Sequence, residues 1–191
     1  MNNTFYFIRH GKTQVDRTKP ISEWILSSKW EEQSQNLLNE SRFHDADIII
    51  ASGETKSYQT IKPLADQLNK EIICYDEISE LDRDKGGFMQ FDEYENAVKE
   101  CLMNLDTPYQ AQQGEWESSS HALERFSRKI KEIDTQYEGK NIIVCWHGFT
   151  INLYFSQLLG QLDQVYARMQ KNNFCDWGII KNNEVIEDIV K

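Results

Sequence analysis

Phe5-Tyr6-Phe7-Ile8, running directly into Arg9-His10-Gly11-Lys12-Thr13, is the stretch whose reading decides the fold. Four consecutive aromatic or β-branched residues read as a buried strand. The next five residues bring a guanidinium, an imidazole, a glycine, an ammonium and a hydroxyl, a set that suits an anion and not a core. Ligands of open α/β sheets bind just beyond the carboxyl ends of the strands. A histidine delivered there beside an arginine is placed to attack or bind a phosphoryl group. The bland alternative is a solvated basic loop.

A second stretch repeats the arrangement far along the chain. Asn141-Ile142-Ile143-Val144-Cys145-Trp146 is another buried-strand run, and it ends at His147-Gly148. Two of the four histidines therefore stand at strand ends with glycine behind them. Glycine admits close approach of backbone to a ligand.

Composition bounds the rest. The 191 residues suffice for one well-cored domain and are short for two, so a single domain over residues 1–191 is expected. With 21 basic and 31 acidic residues the formal net charge is −10. An acidic surface repels nucleic acid and anionic membranes, and neither is expected as a partner. A phosphate site would have to be a local basic island. The first apolar run is too short to span or target a membrane and has no basic region before it, so no signal peptide is expected. Cys74, Cys101, Cys145 and Cys175 lack paired spacing, which points to reduced thiols and a cytoplasmic location.

Strands are expected at Thr4–Arg9, Asp47–Ser52, Glu71–Tyr75 and Asn141–Trp146, with helical patterns between them. That alternation predicts a mostly parallel α/β sheet in a three-layer α/β/α sandwich. The first helix is expected to be capped by Ser27 or Ser28, and the second to run from Glu54 to Leu68 with Pro63 kinking or breaking it. Phe91–Leu105, His121–Tyr137 and Phe149–Leu159 give three more helical patterns. Near the C-terminus, Trp177–Ile180 and Val185-Ile186 flank paired asparagines, Asn182-Asn183, and predict a β-hairpin.

Together these segments resemble the histidine phosphatase, or phosphoglycerate mutase-like, superfamily. The resemblance rests on Arg9-His10-Gly11-Lys12-Thr13, on Ser52-Gly53-Glu54-Thr55-Lys56-Ser57-Tyr58-Gln59-Thr60, on Ile78-Ser79-Glu80, on Gly114-Glu115-Trp116-Glu117-Ser118 and on His147-Gly148. It implies a metal-independent phosphomonoesterase with no cofactor, and no Asp/His cluster has metal-ligand spacing. His10 would be the nucleophile, neutral, with one ring nitrogen donating to a backbone carbonyl. Arg9 would bind two phosphate oxygens, with Lys56 and His147 as further phosphate ligands and Gly11 and Thr13 beside them. Glu80 would protonate the leaving alkoxide and then take a proton from the hydrolytic water. Arg83, Asp16 and Trp24 are candidates for substrate contact. Arg83 either reaches a substrate anion or pairs with Asp82 or Asp84. Trp24 and Trp30 line a pocket mouth or belong to the core, and His44 and His121 read as surface or capping residues.

The chain also departs from the family pattern. Lys56 stands where arginine is usual, replacing a bidentate fork by a point charge. Gly53 replaces a common proline, and Asp16 replaces a common asparagine with a carboxylate that would disfavour an anion if it faced the site. The Trp-Glu-Gly signature is missing, and Gly86-Gly87-Phe88 occupies the region. There are two rivals: a phosphomutase using the same residues, and a catalytically weak phospho-ligand binder. The substrate, a phosphorylated small molecule or a phosphoprotein, and the oligomeric state stay open.

Overall fold

The computed structural model describes residues 2–191. Six strands form one sheet: β1 (Thr4–Arg9), β2 (Ile48–Ser52), β3 (Ile72–Tyr75), β4 (Asn141–Trp146), β5 (Trp177–Lys181) and β6 (Glu184–Glu187). Their spatial order is β3-β2-β4-β1-β5-β6. The first four run parallel, and β5 and β6 add an antiparallel edge.

Strand alternation builds the layers. Phe5 and Phe7 of β1, Ile50 of β2 and Ile142, Val144 and Trp146 of β4 enter one core, under α3 (Phe91–Met103), α4 (Ser119–Gln136), α5 (Gly148–Leu158) and α6 (Val165–Lys171). Ile8, Ile49, Ala51, Ile143 and Cys145 face the other way, against α1 (Trp30–Asn39) and α2 (Thr55–Gln67). This is the expected three-layer sandwich with its C-terminal hairpin. Asn182 (φ 54°) and Asn183 (φ 61°) supply the two left-handed residues that a tight hairpin turn demands.

Register places the chemistry. Arg9 pairs with Trp146 across β1 and β4, so His10 and His147 leave adjacent parallel strands at the same level. Ser52 ends β2 on the same edge of the sheet.

Two local expectations need correction. Neither Ser27 nor Ser28 caps α1, which begins at Trp30 behind Lys29, with no side-chain cap. Residues 24–29 are held instead by backbone pairing: Gln14 N–H donates to Ile25 and Ser27 N–H donates to Lys12. Pro63 does not break α2, which is continuous from Thr55 to Gln67. The seven-residue α6 was not anticipated from sequence. No described helix is long and apolar enough to cross a membrane.

Candidate active site

His10 sits at the carboxyl end of β1 and is 7% exposed. Its Nδ1 lies 2.8 Å from the Gly11 carbonyl, a bond in which only Nδ1–H can donate. The lone pair therefore falls on Nε2. Burial pushes the His10 imidazole well below its ordinary pKa, helped by His147, Lys56 and Arg9. A ring kept neutral, with one nitrogen fixed by a carbonyl, has the form a nucleophile needs.

The loop after β1 is fastened to α2. Gly11 N–H donates to Thr60 Oγ (2.9 Å), whose hydroxyl donates to the Lys56 carbonyl (2.7 Å). Leu26 N–H donates to Gln59 Oε1 (2.9 Å). The Gln-Thr pair thus holds the first loop in place. It also consumes the Gly11 amide, so Gly11 orients His10 and does not offer its N–H to a phosphate.

His10 opens into a cavity of about 680 Å³ that Arg9, Thr13, Trp24, Lys56, Glu80 and Arg83 also line. The Arg9 guanidinium lies 4.5 Å from the centroid of the Phe174 ring, and its Nη1 donates to the Asn172 carbonyl. Its Nε has no hydrogen bond. Burial pulls Arg9 below its ordinary value while Glu80 opposes that pull; an arginine stays charged throughout. A Cβ on Gly148 would stand 3.1 Å from Arg9 Nη2, so glycine here leaves room for the guanidinium.

The His147 ring centroid is 5.2 Å from that of His10. His147 is fully buried and lies behind the cavity wall. Its Nε2 is 2.6 Å from Ser52 Oγ, and Nδ1 is unpartnered. Burial, then Lys56, lowers its pKa well below the ordinary value, so as a phosphate ligand it would donate from a neutral ring.

Lys56 is 2% exposed, against the surface position that a lysine at a helix start suggests. It forms an ion pair with Glu54 and donates to the Ile21 carbonyl (3.0 Å). Glu54 was not anticipated as a site residue. Its Oε1 accepts from Glu80 N–H (2.7 Å) and lies 3.4 Å from His147 Nε2. Only the meeting of three segments puts this carboxylate in the site.

The Glu80 carboxylate sits on the N-terminus of α5. It accepts from the backbone N–H of Phe149 (3.1 Å) and Thr150 (3.2 Å), from its neighbour Leu81 (3.0 Å) and from Thr150 Oγ (3.3 Å). A helix N-terminus with free N–H groups is a natural seat for a carboxylate. The loop behind Glu80 is held by Arg125, which donates to the carbonyls of Glu77 (2.8 Å), Ser79 (3.0 Å) and Glu80 (3.1 Å). Glu117 fixes Arg125 through two bonds, at 3.1 and 2.7 Å. Arg125 is not legible in the sequence because nothing local distinguishes it from a surface arginine on α4.

Arg83 pairs with neither Asp82 nor Asp84. Asp84 accepts from Ser22 N–H (3.1 Å), and Asp82 accepts from Asp84 N–H (3.1 Å). Asp16 does not reach the cavity. Its carboxylate accepts from Thr18 N–H (2.9 Å) and Thr18 Oγ (2.6 Å) within its own exposed loop, and Thr18 holds it below the usual carboxylate range. Trp24 lines the cavity, with its indole N–H donating to the Asp16 carbonyl (2.9 Å). Trp30 instead borders a separate groove of about 250 Å³. His44 is exposed, donating to the Leu38 carbonyl (3.0 Å), and His121 is exposed beside Glu117 (2.7 Å).

The sequence pattern of the histidine phosphatase superfamily, branch 1, matches residues 5–182. A probable phosphoglycerate mutase from Enterobacter sp. (strain 638) is 25% identical over 174 residues, 88% of this chain and 80% of that protein. Phosphoserine phosphatase 1 of Hydrogenobacter thermophilus is 22% identical over 157 residues, covering 80% and 74% of the two chains. Among solved structures, Entamoeba histolytica phosphoserine phosphatase in complex with 3-phosphoglyceric acid superposes with a TM-score of 0.74. It is 17% identical and covers 99% of this chain and 100% of its own. With a family pattern spanning almost its whole length, the chain belongs to the histidine phosphatase superfamily.

Proposed function

We propose that this protein is a phosphomonoesterase that works through a phosphohistidine on His10. The observation that carries the reading is the fixed His10 tautomer: Nδ1–H is committed to Gly11, and the free Nε2 sits in a cavity lined by Arg9 and Lys56. In the first step Nε2 attacks phosphorus, an N–P bond forms and the ester P–O bond breaks. The leaving oxygen takes a proton from Glu80. In the second step water attacks the same phosphorus, Glu80 takes a proton from it, the N–P bond breaks and inorganic phosphate departs.

Charge spread over the three equatorial oxygens is the main feature of the transition state, so positioned cations do most of the work. Arg9 offers a planar fork and Lys56 a point charge, while His147 stands buried behind His10 with its Nε2 beside Ser52 Oγ. No step is assigned to a metal or cofactor. The cavity volume suits a small phosphorylated molecule better than a folded phosphoprotein. Single-domain organisation and a cytoplasmic location belong to the same reading, supported by one continuous sheet and four free cysteines.

Phosphate release from 4-nitrophenyl phosphate tests it: turnover is expected in the wild type and in none of the His10→Ala protein, with inhibition by vanadate. Turnover that survives His10→Ala would overturn the reading. Similarity to a probable phosphoglycerate mutase favours one alternative. Isomerisation of a phosphoglycerate without free phosphate would establish it.

A further inference from the structure

Arg83 is 7% exposed and has no ion pair with a carboxylate among the described residues. Its Nη1 donates to the Tyr94 hydroxyl, Nε has no hydrogen bond, and no bond from Nη2 is present. The guanidinium carbon stands 4.7 Å from the centroid of Phe149, 5.6 Å from Tyr94 and 5.7 Å from Trp116. Aromatic faces attract a cation but leave its N–H groups unsatisfied. A buried guanidinium normally has a carboxylate partner, and this one has donors to spare.

The surroundings say what would use them. Arg83 lines the same cavity as His10, together with Arg9, Lys12, Arg17 and Lys56. Glu80 is the one carboxylate among the described residues on that wall. In a chain of net charge −10, this concentrates positive charge where a phosphate enters. Lys56 is already paired with Glu54, and one phosphate dianion does not use all of the other four cations. The remaining wall is apolar, including Phe88, Met89, Phe91, Met169 and Phe174, and Phe91 is 71% exposed at the mouth. A second cavity touching Arg83 is instead rich in carboxylates, with Glu54, Asp82, Asp84, Glu115 and Glu117, and would reject an anion.

We propose that the substrate's leaving group carries a carboxylate on an aromatic or apolar body, and that Arg83 in its box of Tyr94, Trp116 and Phe149 receives it. Nη1 is held by Tyr94 and Nε is occluded, so Nη2 is the nitrogen through which the guanidinium meets a carboxylate oxygen, in a charge-assisted hydrogen bond. The apolar wall accommodates the body that joins carboxylate to phosphate. The inference rests on the phosphomonoesterase reading, which places the reacting phosphate at His10.

Non-hydrolysable ligands test it independently of turnover. Calorimetric titration compares benzylphosphonate with its 3- and 4-carboxy derivatives. At least one carboxylated isomer is expected to bind the wild type about tenfold or more tightly than benzylphosphonate. Arg83→Met should bring that ratio close to one, with Arg83→Lys intermediate because the charge remains and the Nη2 donor is lost. Equal binding of all three ligands by the wild type would overturn the assignment even if no variant folded. A preference that survives Arg83→Met would also overturn it, placing the carboxylate on Lys12 or Arg17. Binding of benzylphosphonate without a carboxylate preference defeats only the Arg83 subsite; failure of benzylphosphonate and inorganic phosphate alike to bind defeats the phosphate reading as well.

Discussion

Lys56 and Glu54 form an ion pair at the phosphate end of the cavity, and both side chains are less than one-tenth exposed. The cation most deeply placed for phosphate binding is therefore already paired with a carboxylate before any anion arrives. Glu54→Gln keeps an acceptor for the Glu80 amide and removes the charge. The expected outcome is a vanadate inhibition constant lowered by about tenfold, the change that about 1.4 kcal/mol produces. The unliganded variant should also melt at a lower temperature, since an unpaired buried charge is costly, and phosphate should raise that temperature more than in the wild type. An unchanged inhibition constant would mean that Glu54 does not restrain Lys56.

His10 and His147 both have pKa values held well below the ordinary histidine value, burial being the first cause for each. In the unfolded chain both take up protons as pH falls through about 6.5; in the native protein burial defers that uptake to lower pH. Stability from this source is therefore fully present above about pH 6.5 and is lost as pH falls below it. Each histidine contributes a slope of about 1.4 kcal/mol per pH unit. Urea unfolding between pH 5 and pH 7.5 should show stability falling toward acid, with the slope reduced in His10→Gln and His147→Gln. A flat profile in the wild type would contradict the buried neutral rings.

Arg125 acts on Glu80 only through backbone carbonyls and the Glu117 carboxylate. It is a positioning residue. Arg125→Met should lower kcat by about tenfold for an alkyl phosphate, whose leaving oxygen needs a proton. For 4-nitrophenyl phosphate, whose leaving group needs none, the loss should be smaller. Equal losses on both substrates would show that Arg125 does not act through the proton donor.

The strand that delivers His10 is anchored by Phe7, whose ring meets Phe126, Trp146, Tyr154 and Phe155. Phe7 is completely buried. Phe7→Ala should cost about 3–5 kcal/mol of stability, as truncation of a core phenylalanine does. Denaturant titration reads it, and a cost below about 1 kcal/mol would mean that the core on this side of the sheet is not packed as described.

What the sequence revealed depended on burial. β1 and β4 lie under helices on both faces, so each is an unbroken apolar run with an abrupt polar stop, and His10 and His147 stand at those stops. The hairpin was legible because paired asparagines adopt left-handed backbone readily. Elements set by tertiary approach were not legible. Ser27 lost its cap role to backbone pairing with Lys12, and α6, two turns long, buries only Val165 and Arg168. Lys56 reads as a surface lysine until Glu54 is brought beside it. Arg83 was open between a substrate anion and Asp82 or Asp84, and the structure removes both aspartates from the choice by giving them to Ser22 and to the Asp84 amide.

The most direct measurement is rapid quenching of the protein during turnover of a phosphomonoester, with mass spectrometry then run under basic conditions, where a phosphoramidate survives. A single phosphoryl group on His10, lost on acid treatment and missing from His10→Ala, is the predicted result. A phosphoryl group on another side chain, or steady turnover by the His10→Ala protein, would contradict the account.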